Sequence, residues 1–387
     1  MKVGILGGGQ LGRMLALAGV PLGFSFRFLD PAEDAPVDGL GERTVAEFSD
    51  LEACAKLAAE CDVVTFEFEN VPAGTVEHLA QSKAVFPGAT ALRAAQDRVA
   101  EKRLFEALGI PVPPFAAVDT LEELAAAIAK VGVPAVVKTR REGYDGRGQR
   151  VVREAEAVGR VWGELGGAAP SAALLVESFV PFDRELSILA VRGRNGDIAF
   201  YPLVENEHSD GILRVSRAPA ERVDGRLQER AESYARGILE RLDYVGVVAL
   251  ELFQVGDRLL ANEMAPRVHN SGHWTIEGAE TSQFENHLRA IAGLPLGSTE
   301  ARGFSTMVNL IGTAPELSAL LAVPGAHVHL YGKEARAGRK LGHVTVVDAS
   351  RQGCEGRARQ VLGVVEAEPS GPLDPKGEGL DSRDPSR

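Results

Sequence analysis

Cysteine is scarce, with three in 387 residues: Cys54, Cys61 and Cys354. The number is odd and no pair has metal-ligand spacing, which leaves reduced, buried thiols in a cytoplasmic protein as the expected state. Long apolar runs are also missing. None reaches the roughly 18 residues a membrane span needs, and the chain enters a strand at Lys2 without the pattern of a secretory leader. Positive charge is in deficit: 42 Lys and Arg stand against 54 Asp and Glu, for a formal net charge of -12. That balance argues against a general nucleic-acid or anionic-membrane surface, though a local basic pocket for a small anion is compatible with it. What is present is ordinary: 45% hydrophobic and 25% charged residues. Such a composition and length suit a globular chain of two or three domains with a sizeable core.

The strand Lys2–Leu6 runs into Gly7-Gly8-Gly9-Gln10-Leu11-Gly12 and then a helix from Arg13. Glycines at such a turn let backbone N–H groups approach a phosphate at the helix N-terminus. A second strand, 24–29, ends in Asp30, where a dinucleotide-binding protein keeps its ribose acid. An NAD-dependent oxidoreductase is therefore a first hypothesis, although doubly wound folds that bind no dinucleotide share this turn. Further αβ units follow, with helices at 50–60 and 72–81 and strands at 62–66 and 85–87. Residues 1–95 read as a Rossmann-like parallel α/β domain. Glu67 and Glu69 fall at the carboxyl end of a strand, where open α/β sheets bind ligands; a solvated strand exit explains them equally well.

A helix over 89–108 carries Asp97, Arg98 and Lys102, and Gly109 to Pro114 reads as a hinge. The strand Val133–Lys138 ends in a lysine ahead of Gly143-Tyr144-Asp145-Gly146-Arg147-Gly148-Gln149. Alone, Lys138 reads as a surface lysine. A loop with so much glycine and an arginine, however, suits closure over a nucleotide, with backbone N–H groups and Arg147 on its phosphates. Leu174 to Val180 is an apolar strand running into an extended segment that suits either an adenine edge or an interdomain connection. Glu185, near the start of the next strand, is placed to accept from ribose hydroxyls. His208 has no local partner in sequence and reads as a surface-loop histidine.

Gly246–Phe253 reads as a buried strand, 255–257 as a turn and 258–262 as the return strand. A hairpin of that length sets Glu251 beside Glu263. Two carboxylates and the Asn262 oxygen suit magnesium on a nucleotide phosphate; unrelated acids on a solvated edge are the alternative. The following run, Met264 to Trp274, has no hydrophobic period and the composition of a binding loop. Short strands at 305–311, 327–331 and 344–347 form a last domain. Between them Lys333, Arg336, Arg339, Lys340 and His343 suggest an anion site, or else a solvated basic hairpin. Residues 366–387 are rich in Pro, Gly, Ser and charge and are expected to be disordered.

Three of these stretches, residues 7–14, 143–149 and 262–274, resemble the signatures of the N5-carboxyaminoimidazole ribonucleotide synthetase family, and 338–343 is similar to its carboxyl-terminal motif. The resemblance spans residues 1 to about 365, in order. It implies an α/β ATP-grasp fold: a Rossmann-like domain at 1–95, an ATP-grasp domain at 96–295 with a lid at about 115–180, a small β-rich domain at 296–365, and a tail. It also implies a ligase that joins 5-aminoimidazole ribonucleotide, bicarbonate and ATP through carboxyphosphate in purine biosynthesis.

The resemblance further distributes roles. Arg98 and Lys138 would hold ATP phosphates under a lid of Gly143 to Gln149. Glu177, Ser178, Phe179 and Val180 would hold adenine, and Glu185 the ribose. His208 would lie at the nucleotide, against its surface reading. Glu251 and Glu263 would hold magnesium, or manganese, with Asn262 beside them. Gln10, Leu11, Tyr144, Asp145, Arg147, Arg267, His269 and Asn270 would contact the imidazole ribonucleotide, with Glu67 or Glu69 shaping the pocket. Lys333, Arg339 and Lys340 would take its phosphate. Asp145 is the candidate for handling the amine and Arg267 for orienting bicarbonate; Arg147 and Lys333 complete the catalytic set. Glu142 departs from the small residue usual in the family at that lid position. A homodimer is implied, with no nucleic-acid or membrane partner. The rival is another ATP-grasp enzyme, such as formate-dependent glycinamide ribonucleotide transformylase.

Overall fold

A computed structural model describes residues 1–141, 143, 148–154, 157–166 and 173–367. The first sheet is parallel and holds β1 (Lys2–Leu6), β2 (Ser25–Asp30), β3 (Glu42–Val45) and β4 (Val63–Phe66) in the order β3-β2-β1-β4. Helices Gln10–Gly19, Leu51–Ala59 and Ala73–Ala80 connect and cover it, so β1 and β4 are apolar on both faces. The strand expected at 85–87 is reduced to one bridge between Val64 and Val85, because Pro87 has no N–H to continue a ladder.

The helix expected over 89–108 is two, Ala89–Gln96 and Arg98–Ala107. Asp97 is extended between them, and its carboxylate accepts from the N–H groups of Val99 and Ala100, which starts the second helix afresh. A small antiparallel sheet follows, with β5 (Phe115–Val118), β6 (Ala135–Thr139), β7 (Gln149–Val152) and β8 (Leu174–Ser178) in the order β5-β8-β6-β7. Helix Leu121–Val131 packs on it through Leu124 and Ile128, giving the lid a core of its own. Glu142, Tyr144, Asp145, Gly146 and Arg147 lie outside the described residues.

The largest sheet contains β9 (Arg184–Arg192), β10 (Ile198–Phe200), β11 (Val204–Ser209), β12 (Ile212–Ala218), β13 (Gly246–Val255), β14 (Arg258–Ala265), β15 (Phe304–Ile311), β16 (Ala326–Leu330) and β17 (Lys340–Asp348). Its order is β14-β13-β9-β11-β12-β15-β17-β16, with β10 on β9. The pairing of β12 with β15, Val215 opposite Val308, carries the sheet across residue 295 into the carboxyl-terminal segment. That segment is not made of strands alone. Helix Arg351–Ala367 covers the sheet with Cys354, Ala358 and Val361, so the expected start of the tail at 366 falls inside a helix. Gly353, Gly356 and Gly363 are poor helix formers and hid it in the sequence. Residues 368–387 lie outside the described range.

The first and largest sheets share one core, in which Met14 and Leu15 pack with Phe284 and Leu288 of helix Gln283–Ala292. Among the described residues no helix is long and apolar enough to cross a membrane.

Candidate active site

A cleft of about 830 Å³ opens where the three parts meet. The described candidate residues line it except Gly148 and His343, the latter being buried against Tyr331 rather than part of an anion site. Gly148 opens the return to β7 instead, at a φ of 72° and against the Thr139 side chain, where a Cβ would collide.

The hairpin of β13 and β14 sets Glu251 directly opposite Glu263. Like charges in that register repel; the Arg98 guanidinium offsets the charge of Glu263, and a neutral imidazole stands beside Glu251. Arg98 Nη1 lies 2.7 Å from Glu263 and His269 Nε2 lies 3.3 Å from Glu251. Desolvation and the charge of Glu263 push Glu251 up to about 7. Desolvation also raises Glu263, but Arg98 and Lys138 outweigh it and hold that carboxyl at about 2. Among the described residues no group of three or more His, Cys, Asp or Glu forms a metal cage. Two carboxylates and the Asn262 amide are hard oxygen donors, and they fit an ion that takes its remaining ligands from phosphates and water, as magnesium does.

The small antiparallel sheet brings Lys138 to the same cleft. Lys138, near the end of β6, reaches Glu177 on β8 at 2.6 Å and the Asn262 Oδ1 at 3.4 Å. Lys102 takes the other Glu177 oxygen at 2.6 Å. Burial raises the Glu177 carboxyl, yet the two ammonium groups overcome it and bring it to about 2. The Glu177 side chain is thus committed to lysines, and the extended stretch Ser178 to Val180 is the part open to a flat ring. Arg98 Nη2 donates to the Gly143 carbonyl at 2.7 Å, tying the base of the lid to the hairpin. His208 lies on β11, not in a surface loop, with Nδ1 2.6 Å from Glu185. Burial lowers its pKa, but the Glu185 contact and the Glu251 charge raise it on balance. The strand escaped the sequence reading because its buried polar residue is satisfied internally: Asn206 donates to Ser187 Oγ and accepts from Ser216 Oγ.

Glu101 and Lys102 were not singled out for a role by sequence. Glu101 accepts from the Met264 N–H at 2.7 Å, behind the binding loop. The spacing of Arg98, Glu101 and Lys102 puts all three on one helix face, which was the available signal.

The glycine turn is filled by the protein's own acids. Glu67 accepts from the N–H groups of Gly9 and Gly12, the latter at 2.7 Å. Asp30 accepts from Gly8 at 2.6 Å and from Ala32 at 2.8 Å. The N–H groups that would hold a dinucleotide phosphate are occupied, and the supposed ribose acid is spent on the turn. The oxidoreductase hypothesis therefore fails. Both Glu67 and Glu69 line the cleft, each differently held. Glu69 pairs with Arg267, whose charge more than offsets the effect of burial and lowers the Glu69 pKa. Burial, Arg267 and Lys340 push His269 down to about 3, so its imidazole is neutral. Neither amide atom of Asn270 has a hydrogen-bond partner among the described residues. Leu11, mostly buried, closes the floor. Lys333 donates to Gln10 Oε1, bringing the basic carboxyl-terminal segment onto the glycine turn. Arg339 donates to the Glu334 carbonyl at 3.3 Å, and Lys340 opens β17.

Three family models match in sequence: a ribonucleotide synthetase preATP-grasp domain at residues 1–96, an ATP-grasp domain at 103–284, and a phosphoribosylaminoimidazole carboxylase C-terminal domain at 305–357. The chain is 54% identical over 367 residues to N5-carboxyaminoimidazole ribonucleotide synthase of Pseudomonas aeruginosa, covering 95% of this chain and 100% of that one. The crystal structure of the Thermus thermophilus synthetase is similar at a TM-score of 0.90 and 55% identity, covering 95% of this chain and 99% of its own. An Aspergillus clavatus synthase solved with ADP and 5-aminoimidazole ribonucleotide gives a TM-score of 0.87 at 33% identity, with 94% and 98% covered. In sequence, in fold and in the meeting of three parts at one cleft, the chain belongs to the N5-carboxyaminoimidazole ribonucleotide synthase family of ATP-grasp ligases.

Proposed function

We propose that this chain joins 5-aminoimidazole ribonucleotide and bicarbonate at the cost of ATP, giving N5-carboxyaminoimidazole ribonucleotide, ADP and phosphate in purine biosynthesis. The observation that carries the reading is the convergence on one cleft of the Glu251–Glu263 hairpin, the Lys138 strand and Lys333 against the glycine turn. A site for two phosphorylated substrates needs cations at two ends and few nucleophiles. This one has both, and its three cysteines are buried as free thiols.

Bicarbonate is a poor electrophile. One of its oxygens attacks the γ-phosphorus, the bond to ADP breaks, and carboxyphosphate results. The amine nitrogen then attacks the carbon, either directly or after release of carbon dioxide. The carbon–oxygen bond to phosphate breaks, and the amine gives up a proton. Such transfers depend on positioning and charge neutralisation. Arg98 and Lys138 hold the ATP phosphates. Glu251 and Glu263, with Asn262 beside them, hold magnesium, or manganese in its place. Bound there, the metal neutralises phosphate charge. Glu185 and His208 face the ribose, and Ser178 to Val180 the adenine. Arg267, fixed by Glu69, orients bicarbonate beside the neutral His269. Lys333, Arg339 and Lys340 take the ribonucleotide phosphate, with Gln10, Leu11, Glu67 and Asn270 around its base. Tyr144, Asp145 and Arg147 act from the lid, Asp145 on the amine. Lid closure keeps water from an intermediate that hydrolyses readily. We place the enzyme in the cytoplasm as a homodimer, acting on small molecules alone.

The test is ADP release by purified protein with magnesium-ATP and bicarbonate. Stimulation by 5-aminoimidazole ribonucleotide, with its consumption, is expected. Absence of stimulation in protein that still binds ATP would assign the fold a different amine substrate.

A further inference from the structure

Lys102 lies on helix Arg98–Ala107 and is 1% exposed. A lysine so deeply placed is costly unless its ammonium is fully paired. Here the ammonium meets one carboxylate and two backbone carbonyls. Nζ lies 2.6 Å from Glu177 Oε1 and donates to the Asn262 carbonyl at 2.7 Å and the Ala261 carbonyl at 3.3 Å. Each partner belongs to a different part of the site. Glu177 is on β8 of the lid sheet, and Ala261 and Asn262 are on β14, just before Glu263. Lys102 does not line the cleft, so it does not meet a ligand itself.

The second oxygen of Glu177 is 2.6 Å from Lys138, which does line the cleft. The cluster is thus one carboxylate between two ammonium groups, with a net charge of +1. Remove Lys102 and one carboxylate faces one ammonium, net zero. Lys138 would then be neutralised by Glu177 and held back from an incoming phosphate. The amide oxygen of Asn262, 3.4 Å from Lys138, would also lose the backbone anchor that Lys102 provides.

We propose that Lys102 is a positioning residue for nucleotide binding: by sharing Glu177 it keeps the charge of Lys138 available to the ATP phosphates, and by binding the Asn262 carbonyl it fixes that lysine's distance from the Glu263 hairpin. The inference rests on the assignment of Lys138 to those phosphates.

The experiment compares Lys102→Gln, Lys138→Ala and the double variant Lys102→Gln/Glu177→Gln by steady-state kinetics and ATP-binding calorimetry on the full chain. Lys102→Gln keeps a donor and loses the charge. It is expected to raise KM and Kd for ATP at least about tenfold, the scale seen when a partner behind a ligand is removed. KM for the ribonucleotide should stay within about twofold. The double variant is decisive: with Glu177 also neutral, Lys138 is freed and ATP affinity recovers relative to Lys102→Gln. A brace that merely holds helix to sheet would instead make the double variant as weak as the single one or weaker. That result, or equal rises in both KM values, would overturn the proposal. If Lys102→Gln does not fold, the double variant, which removes the buried Glu177 charge along with that of Lys102, carries the test. ATP affinity near the parent value then supports the proposal, and a loss as large as that of Lys138→Ala overturns it. If Lys138→Ala itself leaves ATP affinity unchanged, the phosphate assignment fails rather than the role of Lys102.

Discussion

At the scale of single residues, this cleft works by pairing acids with bases before any ligand arrives. Glu69 is a clear case. Its carboxylate pairs with Arg267, and the Arg267 Nη1 also donates to the Val268 carbonyl at 3.0 Å, so the guanidinium is fixed at two points. An arginine held in this way can present a planar fork to bicarbonate or carboxyphosphate. Glu69→Gln keeps the shape and weakens the hold. The expected outcome is a fall in kcat for carboxylation of about tenfold to a hundredfold, the usual cost of losing a partner behind a functional group. ATP affinity should be unchanged, and more ATP should be hydrolysed per product formed. The ratio of phosphate to N5-carboxyaminoimidazole ribonucleotide measures this, and a ratio still at one would show that Glu69 does not act through Arg267.

At the scale of elements, the hairpin was legible because an apolar strand, a Val-Gly-Asp turn and a return strand leave little freedom in register. Glu251 and Glu263 do stand opposite each other. The strand carrying Lys138 was legible as an apolar run, Val133 to Val137, although it starts at Ala135 and ends at Thr139. Other elements were hidden by particular residues. The β11 strand reads Val-Glu-Asn-Glu-His-Ser, too polar for a period of two to show, and its burial depends on hydrogen bonds from distant strands. Asp97 looked like one more polar residue within a helix, when its carboxylate caps a new helix and binds Arg140 at 2.7 Å and Arg141 at 3.1 Å beside the lid. Glycines masked the last helix. In the site, residue types and spacing pointed to phosphate and metal chemistry, whereas the partners that hold each group come from far along the chain. The pairing of Lys102 with Glu177 and the seating of Glu67 on the glycine turn are of that kind.

At the scale of the whole molecule, a shared core fixes the N-terminal domain against the largest sheet, and one buried histidine makes that junction sensitive to acid. His287 accepts from the Val247 N–H through Nδ1 at 3.1 Å and pairs through Nε2 with Thr65 at 2.9 Å, joining β13 to β4. Burial lowers it from 6.5 to about 4. A histidine lowered on folding contributes stability that is complete above the unfolded value and is lost as pH falls toward the folded one. The junction should therefore weaken between pH 6.5 and about 4. The gap in melting temperature between the parent protein and His287→Gln should narrow across that window; a constant gap would show that His287 is not the sensor. Glu177, lowered from 4.5 to about 2, adds a second loss below pH 4.5. In the function proposed above, all three parts of the molecule serve the activation of bicarbonate by ATP. Turnover of ¹⁸O-labelled bicarbonate with ATP and 5-aminoimidazole ribonucleotide is the measurement to make. If carboxyphosphate forms, the bridging oxygen comes from bicarbonate and the released phosphate carries one ¹⁸O. Phosphate without label, at full conversion to the carbamate, would mean that bicarbonate is not activated by phosphorylation.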